Sequence, residues 1–255
     1  MNKPWLRALV RTQRHRLVVA RRARRGVPVL IYQMGKVGSS SLYASLSEQY
    51  TGLTVHTHDF RSNHADYRVR WLYRRTITKG QRLKVITLTR EPVSRNVSAF
   101  FQNFQRLVGV ATEEVDMTTE ELRTAFLARY PHELPLTWFD DNILECFGIN
   151  VFAQAFPKEG IARHVKDNID ILIMRSEIDD DAKSEAVRNF LGLTGFRLRN
   201  VNISAQKPYG EMYGRFVKEV RLPPGYIENM CASRYFRHFY GVDVRREVEK
   251  KWQAP

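Results

Sequence analysis

VLIYQMGKVGSSSLYASL, residues Val29 to Leu46, passes from an apolar strand through Gly35-Lys36-Val37-Gly38 into a triple serine, Ser39-Ser40-Ser41, and then a helical pattern. A strand-turn-helix of this composition gathers backbone N–H groups, hydroxyls and one ammonium at the positive end of a helix dipole, which is what a phosphate group needs. The stretch predicts a phosphate-handling enzyme, with a purely structural turn as the plainer alternative. Residue order separates it from the nucleotide triphosphatase loop. In G-x-x-x-x-G-K-[ST] the lysine follows the last glycine and the next hydroxyl holds Mg²⁺. Here Lys36 stands two residues before Gly38, so the loop is not of that type.

A second element lies at Leu83 to Phe101, LKVITLTREPVSRNVSAFF. Val85, Ile86 and Leu88 make a short apolar run bounded by Thr89-Arg90-Glu91-Pro92, and Val93, Val97 and Phe100 then return to helical spacing. Pro92 suits the first turn of that helix. Arg90 is placed at the carboxyl end of a strand, where parallel α/β sheets put their ligands, and Ser98 lies two turns into the next helix.

These residues resemble the P-loop sulfotransferases that use 3′-phosphoadenosine 5′-phosphosulfate, PAPS. The resemblance implies that Gly35, Lys36, Val37, Gly38, Ser39, Ser40 and Ser41 cradle the 5′-phosphosulfate of PAPS. It also implies that Arg90 and Ser98, eight residues apart, bind the 3′-phosphate. Asp170 to Leu193, DILIMRSEIDDDAKSEAVRNFLGL, looks like that family's later strand, acidic turn and helix. Asn202 to Phe216, NISAQKPYGEMYGRF, resembles the C-terminal loop of bacterial sulfotransferases associated with capsular polysaccharide synthesis. The implied fold is a three-layer α/β/α sandwich with a central parallel sheet and helical insertions.

Composition sets the outer bounds. A chain of 255 residues with 43% hydrophobic content can bury one α/β core, expected over residues 28–255 after a basic segment, 1–27. The formal charge of +14 favours anionic partners without choosing between nucleic acid and a sulfated or uronic glycan. Much of that excess sits in Arg7 to Arg25, and no acidic residue precedes Glu48. This segment reads as a solvated basic helix, with a membrane-surface or glycan contact as the alternative. Neither a secretory signal nor a membrane span is expected, and the location expected is cytoplasmic. Cys146 and Cys231 stand alone and read as reduced thiols, with no metal site or disulfide framework.

Strands are expected at Val29 to Tyr32, Leu53 to Thr57, Val85 to Thr89 and Ile169 to Met174, with a short strand or edge at Ile149 to Phe152. Helices are expected at Ser40 to Tyr50, between Thr118 and Gly148 with Pro131 and Pro135 as breakers, and at Tyr226 to Tyr240. A polar, basic helix or loop should run to Arg75. Strands alternating with helices predict a parallel sheet covered on both faces.

Sulfuryl transfer needs in-line attack by an acceptor oxygen, stabilisation of the departing phosphate oxygen, and removal of the acceptor proton. A sulfuryl group carries less charge than a phosphoryl group, so a lysine and hydrogen-bond donors suffice without a metal. Lys36 is the candidate for the leaving oxygen. In LTVHTHDF, His56 and His58 are two apart and share one face of an extended strand, so either one is a candidate base. The plainer alternative for each is a satisfied polar group, and a zinc pair would lack a third ligand. Arg95 either assists the 3′-phosphate or faces water. Lys207 and Tyr209 are candidates to close over the nucleotide, and Trp138-Phe139-Asp140-Asp141 either forms an acceptor platform or belongs to the core. The expected activity is transfer from PAPS to a hydroxyl, with a carbohydrate as the expected acceptor and no nucleic-acid partner. A kinase-like nucleotide enzyme and a non-catalytic polyanion binder are the alternatives.

Overall fold

The computed structural model describes residues 13, 16–111, 116–199 and 208–253. Val29 to Tyr32 is a strand, β1, and all four of its residues are buried. It lies between β2, Thr54–Thr57, and β3, Leu83–Thr89, and pairs in parallel with both. A second run of apolar residues, Ile169–Arg175, forms β5 and pairs in parallel with β3 from Leu83↔Ile169 to Thr89↔Arg175. Burial along β1, β3 and β5 is nearly continuous, as expected for strands covered on both faces. Each fully buried Ile or Val in this sheet contributes about 1.5–3 kcal/mol.

The strand order is β2-β1-β3-β5-β4. From β1 the chain crosses first to β2 on one side, then returns past β1 to β3 on the other. That reversal opens a crevice at the carboxyl ends of β1 and β3, where doubly wound sheets bind ligands.

The sheet departs from the all-parallel expectation at its last strand. β4, Ile161–Lys166, runs antiparallel to β5, joined to it by Asp167-Asn168, with Asp167 in the left-handed region at φ 51. A two-residue turn of this kind matches the twist of a hairpin. The strand gives a weak sequence signal because it is an edge, with half of its residues exposed and Arg163 bound to Asp170 across the pair at 2.7 Å. The strand expected at Ile149 to Phe152 is instead a 3₁₀ turn, Val151–Ala153. The Asn150 side chain accepts from the Phe152 N–H at 3.0 Å and turns the chain before it can pair.

Helix α1, Ser39–Gln49, follows the glycine loop and α2, Tyr67–Tyr73, follows β2. The basic stretch is thus helical, and it continues as a π-helical turn over Arg74–Thr78. α3, Pro92–Gln102, starts at Pro92 as the sequence predicts, and ten of its eleven residues are buried. α4, Thr119–Arg129, carries a complete capping box between Thr118 and Glu121, and α5 spans Asp180–Leu191. Pro135 does not break the chain as expected but sits in the first turn of a short helix, Leu134–Trp138. The helix expected over Tyr226 to Tyr240 is two helices, α6 (Pro224–Ala232) and α7 (Arg234–Phe239), followed by α8, Val242–Trp252. Ser233 makes the break, its hydroxyl donating to the Met230 carbonyl at 2.6 Å and accepting from the Phe236 N–H at 3.1 Å.

Trp138 and Phe139 are core residues. Trp138 packs edge-on against Tyr32 with ring centroids 5.3 Å apart, and Asp140 pairs with Arg234, so the sugar-platform reading of this stretch does not hold. Of the basic N-terminal segment, residues 16–23 are helical and Val19 packs into the main core. Among the described residues no helix is long and apolar enough to cross a membrane.

Candidate active site

The loop after β1 is held in two left-handed turns, Lys36 at φ 74 and Gly38 at φ 86. A lysine in that region is strained, and such strain collects where a backbone must present its N–H groups. At Gly35 and Gly38 an added Cβ would meet nothing within 4 Å, so the loop faces open space. Gly38 is also the N-cap of α1, which has no side-chain cap and no acidic residue in its first turn. The positive end of that helix dipole therefore meets no acidic side chain in its own first turn and favours an anion.

Two arginines fix the loop from below. Arg90, at the end of β3, donates to the Lys36 carbonyl at 2.9 Å. Its own backbone is clamped by the Tyr235 hydroxyl, which accepts from the Arg90 N–H at 3.1 Å and donates to the Arg90 carbonyl at 2.9 Å. Arg95 neither faces water nor lines the cavity. It is 3% exposed, donates to the Gly35 carbonyl at 3.0 Å and the Tyr130 hydroxyl at 2.5 Å, and so positions the loop. Burial pushes the Arg95 guanidinium below its ordinary range. The Lys36 ammonium lies 3.4 Å from the Tyr209 hydroxyl, which draws Tyr209 to the loop; Lys207 lies outside the described residues.

Loop, β2 and β3 ends and α3 enclose a cavity of about 500 Å³, within the range of small-molecule sites. Gly35 to Ser41, His56, His58, Arg90 and Ser98 all line it. Sequence reading missed Gln102, Ser176, Glu177, Asp180, Lys183 and Leu198, which complete the wall. Gln102 was findable as the residue one helical turn beyond Ser98, and Ser176-Glu177 as the first residues past the carboxyl end of β5. Leu198 carried no such signal. Lys183 pairs with Asp180 at 3.0 Å, and Glu177 accepts from the Glu91 N–H at 2.8 Å. The cavity thus has a cationic end at Lys36 and Arg90 and a second end where carboxylates are already engaged.

The two histidines differ. His58 follows β2 directly and is exposed, with Nδ1 2.7 Å from the Gln33 carbonyl. A carbonyl only accepts, so Nδ1 carries the proton and Nε2 keeps a free lone pair. His56 lies within β2, its ring 5.0 Å from that of His58 and 5.5 Å from that of Tyr43. Burial, with the His58 and Arg68 charges, pushes the His56 imidazole down to about 4. As pH falls from about 6.5 to 4, the unfolded chain protonates this ring while the folded chain does not, so the fold loses stability over that window. The full shift would correspond to about 3 kcal/mol, reduced to about 1–2 kcal/mol by partial solvent access. In urea titrations at pH 7 and pH 4.5, His56→Gln should lose less stability than the parent by that amount. An identical pH dependence would contradict the burial argument.

The two cysteines are free, and burial pushes both thiols up to about 12, which leaves them unreactive near neutral pH.

No curated protein and no solved structure matches the chain. A family model matches residues 114–241, half of the chain. The matched stretch supplies Ser176, Glu177, Asp180, Lys183 and Leu198 to the cavity, while the glycine loop, the histidines, Arg90 and Ser98 precede it. The chain therefore belongs to the NKWYS family, described as "Putative capsular polysaccharide synthesis protein".

Proposed function

We propose that this protein is a sulfotransferase that moves a sulfuryl group from PAPS to a hydroxyl of a carbohydrate acceptor. The observation that carries the reading is one cavity holding the uncapped glycine loop, Arg90 and Ser98 together. Membership of a family tied to capsular polysaccharide synthesis supports a carbohydrate acceptor.

Each residue has a defined task in this reading. The N–H groups of Gly38 to Ser41 and the hydroxyls of the three serines hold the 5′ end of the nucleotide, and the dipole of α1 favours its charge. Arg90 and Ser98 hold the 3′-phosphate. Lys36 meets the bridging oxygen as negative charge develops on it during bond cleavage. His58 takes the acceptor proton on Nε2, and the Gln33 carbonyl keeps its ring in the productive tautomer. Tyr209 contacts Lys36 and helps fix its ammonium.

Arg90→Ala should weaken binding of adenosine 3′,5′-bisphosphate by about 2 kcal/mol, roughly thirtyfold, the scale of one charge-assisted contact. Calorimetric titration of the variant measures this, and unchanged affinity would remove Arg90 from the site. The activity itself is tested by incubating the protein with sulfur-labelled PAPS and a panel of desulfated glycans in the presence of EDTA. Label appearing on a glycan supports the reading. Transfer of the γ-phosphate of ATP with Mg²⁺, and none from PAPS, would replace it with a kinase.

A further inference from the structure

A second cavity, about 410 Å³, lies apart from the first, between the N-terminal helix and the segment that follows β2. Arg16, Arg70, Arg74, Arg75 and Lys79 line it, and among the described residues no carboxylate does. Among the described residues the side chains of Arg74 and Lys79 have no hydrogen-bond or ion-pair partner. Arg70 donates to the neutral carbonyls of His64 and Ala65. Five cations therefore face one groove with their charge uncompensated, which repels them from each other and attracts an anion.

Two aromatic rings complete the lining. The Arg16 guanidinium lies 5.3 Å from the Tyr67 ring centroid, and that of Arg75 5.4 Å from Trp71. Stacking on the rings holds both forks in place while leaving their N–H edges available. Tyr67, Trp71, Arg74 or Arg75, and Lys79 recur at the spacing of one helix face. At 1.5 Å per residue the stripe runs roughly 18 Å, too long for a single sulfate or phosphate and suited to several anionic groups in a row.

The helix that lines the groove also touches the active site through one of its other residues. α2 starts nine residues after His58, and Arg68 in its first turn donates at 3.1 Å to the hydroxyl of Tyr43, whose ring packs on His56. We propose that the groove binds a stretch of anionic glycan, the sulfated or uronic part of the acceptor polymer, while a neighbouring hydroxyl reaches His58. The proposal rests on the sulfotransferase reading for the identity of the anion, because the product of that reaction is a sulfated chain. The concave shape and its aromatic rings favour a polysaccharide over a flat bilayer.

The test uses the full chain and the double variant Arg74→Glu/Lys79→Glu, both of whose positions are exposed. The probe is a size-defined sulfated heparin oligosaccharide, measured by fluorescence anisotropy at two salt concentrations. Affinity should fall on the order of tenfold or more with a shallower salt dependence, while adenosine 3′,5′-bisphosphate binds as before. Unchanged glycan affinity overturns the proposal. So does an equal loss for single-stranded RNA of matched charge, or for vesicles containing anionic lipid, since the groove would then read charge alone. Because the bisphosphate is titrated separately, loss of the nucleotide reading and loss of the groove are distinguishable.

Discussion

Lys36→Ala is expected to lower turnover by about 10²–10³, with less than a tenfold change in affinity for adenosine 3′,5′-bisphosphate. The asymmetry follows from when the ammonium is needed. In the proposed reaction the ground-state charge of the nucleotide would be met by the N–H groups of α1 and by Arg90, neither of which the substitution removes. Charge on the bridging oxygen appears only as the bond to sulfur breaks, so a group that meets it there acts on turnover and not on binding. Position 36 has a left-handed backbone at φ 74, and alanine inherits the strain. Lys36→Asn is the better-behaved companion, because asparagine tolerates that region. Both variants should lose turnover alike, measured at saturating PAPS. If both lose nucleotide binding as much as turnover, Lys36 holds the ground state and its assigned role is wrong.

His58→Ala should cost about 10²–10⁴ in turnover, the usual worth of a general base. His56→Ala should cost much less. The distinction comes from hydrogen bonding and burial. His58 is anchored through Nδ1 to the Gln33 carbonyl and keeps Nε2 for the acceptor. His56 is pushed down to about 4, a weak proton acceptor at neutral pH, and it supports its neighbour by packing edge to face against it. The reverse ranking of the two variants would move the base to His56.

Much of this was legible in the sequence because the signals were local. The apolar run Val29 to Tyr32, the glycine pair and the serines specify β1, the loop and α1 within one residue at either end. β3 with its Arg90 turn follows from the β-branched run closed by Thr-Arg-Glu-Pro. The H-x-H spacing places two rings on one side of β2, yet only the structure tells them apart, since burial and the Gln33 carbonyl are tertiary facts. Arg95 shows the same limit. Its spacing from Ser98 left a ligand contact and a water-facing side chain both open, whereas Tyr130 and the Gly35 carbonyl, from distant parts of the chain, claim it for the loop. β4 escaped because an exposed edge strand lacks strict alternation, and the split at Ser233 because a single hydroxyl cap interrupts an otherwise continuous apolar pattern. Asp180 and Lys183, on the helix beyond, reach the cavity through the parallel pairing of β5 with β3, which no local pattern announces.

The most direct test is a calorimetric titration of the unmodified protein with adenosine 3′,5′-bisphosphate in EDTA, set beside adenosine 5′-phosphate under the same conditions. Saturable one-to-one binding without metal is predicted, with the bisphosphate at least tenfold tighter because Arg90 and Ser98 engage its second phosphate. Equal affinities for the two nucleotides, or no heat from either, would contradict it.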